Sequence, residues 1–169
     1  MLLKKALNVL VISIQGVNMA NIKGCLSHNS DDWKTPSELY DAFMNAGFVD
    51  CFPFKAEYDE FNKDYHHRKL FLNPPYSKLN AVVDWVALQL HLGNKIALLI
   101  PVRTDTRYFM KLHAMKCGII FIQGRLHFND SKTCAPFPSM LVLINFDFKE
   151  WEFTSMSFYD LIVFVGRCS

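Results

Sequence analysis

The sequence predicts an α/β domain: a mostly parallel sheet with helices on its flanks. Three observations predict it. Short apolar runs (Lys69 to Leu72, Lys95 to Ile100, Gly118 to Ile122 and Met140 to Phe146) have the length and composition of strands. Longer stretches between them carry apolar residues at helical spacing. The two patterns alternate along the chain, the order that builds strand–helix–strand units and a parallel sheet.

The first helix is expected over residues 35–46. Thr35 can cap it, Pro36 suits its first turn, and Glu38 stands three residues after Thr35. Leu39, Phe43 and Ala46 share its apolar face, and Gly47 ends it. Phe48 to Phe52 follows as a short strand stopped by Pro53, and residues 54–68 are polar and aromatic with no period. The strand Lys69 to Leu72 is cut off by Pro74 and Pro75. Residues 78–92 form an amphipathic helix through Leu79, Val82, Val83, Val86 and Leu90, closed by Gly93 and Asn94. A buried strand from Lys95, a helix over 105–117, and strands at Gly118 and Met140 complete the middle. Tyr159 to Val165 is expected as a last strand. With no repeat and no linker, residues 31–169 are expected to form one domain. Residues 1–30 read as an N-terminal tail. Two lysines and a short apolar run faintly resemble a signal peptide, and the expectation is a poorly conforming tail or a start placed too early, with Met19 as initiator.

The 169 residues fit about one domain. Apolar residues at 51% and charged residues at 20% exclude a disordered chain, and seven Gly with seven Pro exclude collagen-like and low-complexity classes. Eighteen Lys and Arg against sixteen Asp and Glu leave +2, so bulk charge does not select a partner. Cys25, Cys51, Cys117, Cys134 and Cys168 are odd in number, far apart and without a CxxC, which argues against a disulfide framework or a zinc site. A reducing, cytoplasmic setting is expected. No apolar run reaches the roughly 18–20 residues of a membrane span.

In parallel sheets chemistry gathers at the carboxyl ends of strands. Asp50, Asn73 and Arg103-Thr104-Asp105 follow apolar runs and are placed there. The segment Asn73-Pro74-Pro75-Tyr76 comes directly off a strand. Read blandly, it is a rigid strand-ending turn; its place after a buried strand favours a site.

The tetrapeptide is similar to the signature of amino-methyltransferases that use S-adenosylmethionine, and the chemistry accounts for each residue. An exocyclic amine is a poor nucleophile because its lone pair is delocalised into the ring. Two acceptors aimed at its hydrogens favour the tetrahedral form and stabilise positive charge on nitrogen. The Asn73 side-chain oxygen and the Pro74 carbonyl can be those acceptors, Pro75 stiffens the turn, and Tyr76 offers a flat face to a base flipped out of its duplex.

Further tracts extend the resemblance. Trp33-Lys34-Thr35-Pro36, a strand ending at Asp50, Asn73 to Ser77, Leu99-Ile100-Pro101, Gly124-Arg125-Leu126-His127-Phe128 and Ala135-Pro136-Phe137-Pro138-Ser139 occur in the order of the phage-type (Dam-like) DNA N6-adenine methyltransferases, over about residues 33–146. The resemblance implies a reduced Rossmann-like S-adenosylmethionine-dependent methyltransferase fold. It implies that Asn73, Pro74, Pro75 and Tyr76 hold the target amine and base. Asp50, with Cys51 beside it, would contact the methionine part of the cofactor; Thr35 and Pro36 would pack near it, and Trp33 against it. The chain departs from the family at Cys51-Phe52-Pro53-Phe54, where a glycine-rich cofactor loop is usual. Phe52 and Asn73 are only 21 positions apart, too few for the two strand–helix units that would supply an acid for the ribose. Glu57, Asp59 or Glu60 can supply that acid from a loop.

Charge is unevenly placed. Residues 31–60 hold eight carboxylates against two lysines, −6, and residues 63–132 hold eleven Lys and Arg against four Asp, +7. The acidic part suits a cationic sulfonium and the basic part a phosphate backbone; ordinary solvated faces are the alternative. The expected DNA contacts are Ser77, His67, Arg68 and Lys69 from the basic run before the motif strand, and Arg103 and Arg125 after later strands. No metal is expected, since adjacent His66 and His67 on a strand would point apart.

Three readings stand: methylation of adenine N6 in double-stranded DNA, the same chemistry on RNA or a protein glutamine, and a degenerate methyltransferase that binds nucleic acid or a partner without turnover. The first is favoured, in the cytoplasm of a host cell if the chain is phage-encoded. There is little room for a target-recognition domain, which leaves loose specificity or the help of a second subunit in a homo-oligomer.

Overall fold

Six strands form one sheet in the computed structural model, which describes residues 31–55, 60–115, 117–146 and 153–168. The tail read over residues 1–30 lies outside them. The strands are β1 (Phe48–Asp50), β2 (Lys69–Leu72), β3 (Lys95–Pro101), β4 (Gly118–Ile122), β5 (Ser139–Ile144) and β6 (Phe153–Met156), in the spatial order β1-β2-β3-β5-β4-β6. β1 pairs with β2, β2 with β3 and β4 with β6 in parallel. β5 is antiparallel to both β3 and β4, so it alone runs against the rest. The α/β class and the mostly parallel sheet are as the sequence predicts, and the architecture is compatible with a Rossmann-like methyltransferase fold.

Four helices cover the two faces: α1 (Ser37–Asn45), α2 (Leu79–His91), α3 (Arg107–Ala114) and α4 (Phe158–Gly166). Alternate side chains of a strand point to opposite faces. Leu70, Leu72, Ile96, Leu98 and Ile100 accordingly pack with Val82, Val83 and Val86 of α2 and Leu112 of α3. Phe71, Ala97 and Leu99 pack with Leu39 and Phe43 of α1 and Leu161 and Val165 of α4. Central strands covered on both sides need apolar residues at every position, which is why β3 and β5 read as unbroken runs.

Two local expectations are corrected. The stretch expected as a last strand is α4. Its residues are apolar on all sides, a pattern strand and helix share, but Ser157 and Asp160 form a helix start: Asp160 N donates to Ser157 Oγ at 3.1 Å, and Ser157 Oγ donates to Asp160 Oδ2 at 2.6 Å. The last strand is instead β6, a four-residue edge strand with almost no burial to mark it.

The second correction concerns the start of α1. Thr35 does not cap it; Pro36 occupies the cap position with no side-chain hydrogen bond. The cap comes from 93 residues away, where Asp130 Oδ1 accepts from Ser37 N at 2.9 Å and from Ser37 Oγ at 3.1 Å. Asp130 and Asn129 are held there with φ of 50° and 58°, left-handed values that Asn and Asp tolerate better than most residues. The Ser37 bonds hold the Asp130 carboxyl below the usual carboxylate range. A carboxyl lowered by folding contributes stability above its unfolded pKa and loses it as pH falls through the folded one. Asp130→Ala therefore lowers the urea midpoint at pH 7, and its gap to wild type narrows as the pH drops below about 4; a gap constant from pH 7 to pH 3 would remove the carboxylate from the cap.

Candidate active site

Because β1, β2, β3 and β4 share a direction, their carboxyl ends lie along one edge of the sheet. A cleft of about 550 Å³ opens at the β1–β2 part of that edge. Ligand sites commonly span about 300–1,000 Å³. The cleft brings together Trp33, Thr35, Asp50, Asn73 and Pro75 from three separate tracts.

Asp50 is the last residue of β1. Its Oδ1 accepts from Phe52 N at 3.0 Å, so the carboxylate itself shapes the turn that lacks glycine. Tyr40 of α1 also lines the cleft; burial and then the Asp50 carboxylate push its phenol up. Cys51 continues the ladder, donating its N–H to Phe71 O at 3.0 Å, which sends its thiol into the core rather than the cleft. Burial pushes that thiol up to about 12.

Asn73 is the first residue after β2. Its Nδ2 donates to the Trp33 carbonyl and, at 3.0 Å, to Thr35 Oγ1; Tyr76 OH lies 3.4 Å from its Oδ1. Pro74 is buried. Pro75 lines the cleft and accepts from Lys78 N at 2.9 Å, closing a single 3₁₀ turn over Tyr76–Lys78. Tyr76 turns inward, edge-on to Phe137 at 5.5 Å between centroids. Burial, then the neighbouring Tyr108, pushes its phenol well up. Ser77 gives its N–H and hydroxyl to Asp31 at 3.1 and 2.5 Å.

The wall behind Asn73 is aromatic. Trp33 packs edge-on against Phe128 at 5.6 Å and Phe137 at 5.2 Å. Its strand-like segment is pinned by Asn129. Lys34 N donates to Asn129 Oδ1 at 2.8 Å, Asn129 N donates to Lys34 O at 2.9 Å, and Asn129 Nδ2 donates to Asp32 O at 2.9 Å.

The expected DNA contacts divide between the two ends of the sheet. Arg103, after β3, is exposed and paired with Asp105 at 3.3 Å. Arg125, after β4, donates to Ala135 O at 3.3 Å and lines a neighbouring cavity of about 270 Å³ together with Pro36. These two and Ser77 share the cleft's edge. His67, Arg68 and Lys69 do not: they lie at the start of β2, about 13 Å from Asn73 for Lys69 at roughly 3.3 Å per residue. There Lys69 Nζ donates to Ala46 O at 3.0 Å and Cys168 O at 2.7 Å, Arg68 N to Asn94 Oδ1 at 2.9 Å, and the His67 ring fills the space beside Gly93, where a Cβ would stand 2.6 Å from Nδ1. Arg68 is engaged there through its backbone alone, and its side chain is exposed.

Sequence reasoning missed Asp31, Lys55 and Lys78 in the cleft lining, and Asn129 behind it. Lys78 sits two residues past Tyr76, a nearness that marks it once the motif is known. Nothing local marks Asn129, whose bonds to Lys34 span 95 residues. Of the proposed ribose acids, Glu57 and Asp59 lie outside the described residues, and Glu60 begins the 3₁₀ turn Glu60–Asn62. Among the described residues no three His, Cys, Asp or Glu side chains gather to hold a metal ion, and no helix is long and apolar enough to cross a membrane.

A family model described as DNA N-6-adenine-methyltransferase (Dam) matches residues 24–161. No curated protein and no solved structure matches the chain.

The burial of Cys51 has a chemical readout. At pH 8 iodoacetamide labels the exposed Cys134 in the native protein and reaches Cys51 and Cys117, with thiols near about 12 and about 11, only on unfolding. Peptide mapping checks this; native labelling of Cys51 at the Cys134 rate would open it to the cleft.

Proposed function

The chain belongs to the DNA N6-adenine methyltransferase (Dam) family, and from that membership we propose that it uses S-adenosylmethionine to methylate N6 of an adenine flipped out of duplex DNA. The observation that carries this reading is the shared cleft: Asp50 and Asn73, at the ends of neighbouring parallel strands, line one space of ligand size.

The donor set fits the cofactor. S-adenosylmethionine carries an amino-acid zwitterion, a sulfonium and a purine. Asp31, Asp32 and Asp50 line the cleft with Lys34, Lys55 and Lys78, so both signs are present for the zwitterion. Trp33, Phe52 and Phe54 give apolar faces for a flat ring. When bound, the cofactor supplies a methyl group on a cationic sulfur that leaves with the C–S electron pair as a neutral thioether.

The chain's own residues act on the amine. Asn73 Oδ1 and the Pro74 carbonyl accept the two N6 hydrogens, which turns the lone pair out of the ring plane and toward the methyl carbon. As the N–C bond forms, the same oxygens hold the positive charge growing on nitrogen, and water takes the surplus proton. Pro74 and Pro75, each with φ fixed by its ring, keep that carbonyl from swinging away. Tyr76, wedged edge-on against Phe137, anchors the turn from behind. Ser77, Lys78, Arg103 and Arg125 lie on the same edge and meet the backbone phosphates. His67, Arg68 and Lys69 lie at the other edge and are left out of this interface.

Tritiated S-adenosylmethionine with adenine-containing duplex DNA checks the reading, with nucleoside analysis of the product. The label is expected as N6-methyladenine. Asn73→Ala lowers kcat by about 10²–10³-fold, the weight of one oriented polar group at a developing charge, and leaves cofactor binding measurable by calorimetry. Asp50→Ala weakens that binding. Label on RNA or protein, or no cofactor binding beside intact DNA binding, would replace this reading with one of the other two.

A further inference from the structure

We propose that Thr35, with the backbone carbonyl of Trp33, is a positioning device that fixes which end of the Asn73 amide meets the target amine. The inference rests on Asn73 Oδ1 being the acceptor for N6. The two ends of an asparagine amide have nearly the same shape and opposite hydrogen-bonding character. Turned over, Asn73 would present NH₂ to NH₂ and the turn could not activate its substrate. A device that selects the orientation is therefore a requirement of the chemistry.

The structure contains one. A carbonyl oxygen only accepts, so the Trp33 carbonyl admits Nδ2 and rejects Oδ1, which would meet it lone pair to lone pair. Thr35 Oγ1, 3.0 Å from Nδ2, takes the second amide hydrogen. Both hydrogens are then spent inside the wall, and Oδ1 keeps only the Tyr76 hydroxyl. The Tyr76 hydroxyl, 3.4 Å from that oxygen, is long for an O–H···O bond and is readily exchanged for a substrate N–H.

The selecting groups are themselves held. Thr35 is only 6% exposed, which keeps water from taking its place. The Trp33 ring is wedged between Phe128 and Phe137, and the peptides on either side of Trp33 are bound to Asn129. Thr35 is also released from the task its sequence suggests, since Asp130 caps α1. Its hydroxyl serves Asn73 instead.

One consequence is counter-intuitive. Aspartate at position 73 offers two good acceptors and would pass as a conservative exchange. Here its second oxygen faces the Trp33 carbonyl, where a donor is needed. Protonation would make that oxygen a donor again. Asn73→Asp is therefore expected to be nearly inactive at pH 8 and to gain activity as the pH falls through the pKa of the new carboxyl, an acid limb the wild type lacks.

Three measurements test the device. First, Thr35→Val, of the same shape without an acceptor, lowers kcat about 10-fold, on the order of one buried N–H left unpaired. Thr35→Ser, which keeps the acceptor, restores kcat. Second, Asn73→Asp shows the acid limb; a flat pH profile, active or inactive, overturns the proposal without relying on any Thr35 variant folding. Third, side-chain ¹⁵N spectra of the protein alone show two slowly exchanging Asn73 Nδ2 protons, one of which exchanges fast in Thr35→Val. Free exchange of both in the wild type, or wild-type kcat in Thr35→Val, also overturns it. Should the wild type label no DNA while the protons remain protected in a Thr35-dependent way, the methyltransferase reading fails and the clamp stands.

Discussion

The parallel pairing of β1 with β2 is the constraint on which the site depends. Asp50 is in register with Phe71, and Asn73 lies two residues past Phe71, about 7 Å further along the strand. Since the strands point the same way, carboxylate and amide leave the sheet at one edge. An antiparallel pair would have sent them to opposite ends. The short connection from Phe52 to Asn73 holds no further strand among the described residues, so the two are immediate neighbours.

The remaining tracts are joined by rings and by side chains that bind distant backbone. Trp33, Phe128, Phe137 and Tyr76 come from four stretches of sequence and meet edge to face. Such contacts add about 0.5–1.5 kcal/mol each beyond the area they bury, yet their larger effect is positional. They set the Trp33 peptide at the back of Asn73, while Asn129 holds Lys34 and Asp130 holds Ser37. One turn, Phe128–Asp130, thus fixes the cleft wall and the first helix together. The left-handed conformation of Asn129 and Asp130 is the local cost of aiming two adjacent side chains at two adjacent peptides.

This division explains what the sequence made legible. β2, β3, β4 and α2 are readable because their burial follows the period of strand or helix, and the turn Asn73-Pro74-Pro75-Tyr76 because it is written in four consecutive residues. α4 reads as a strand because a helix apolar on nearly all sides has no telling period; only Ser157 and Asp160 distinguish it. β6 has nearly no buried residue to give a pattern. The true partners of Thr35 and Ser37 were illegible for another reason. A hydroxyl before a helix carries the same local signal whether it caps that helix or accepts from an amide 38 residues away. Long-range polar pairing leaves no periodicity behind.

The two edges of the sheet spend polar groups in opposite ways. At the amino edge Asn94 is fully buried: its Nδ2 donates to Tyr65 O at 2.6 Å and Gln89 Oε1 at 3.0 Å, and its Oδ1 accepts from Arg68 N at 2.9 Å. Lys69 closes the ends of two helices there. Such networks are complete, and a complete network has nothing to offer a ligand. At the carboxyl edge the asparagine is satisfied on one side only. Its nitrogen is bound twice and its oxygen holds one long contact. Asn73 is half-buried at the cleft, so that oxygen is not a buried orphan and keeps room for another donor. The basic run from Lys63 to Lys69 has the composition of a nucleic-acid surface, and at the amino edge it engages the Lys69 side chain and the Arg68 backbone. By the same logic the incompletely satisfied edge, with Asn73, is where a substrate has something to add.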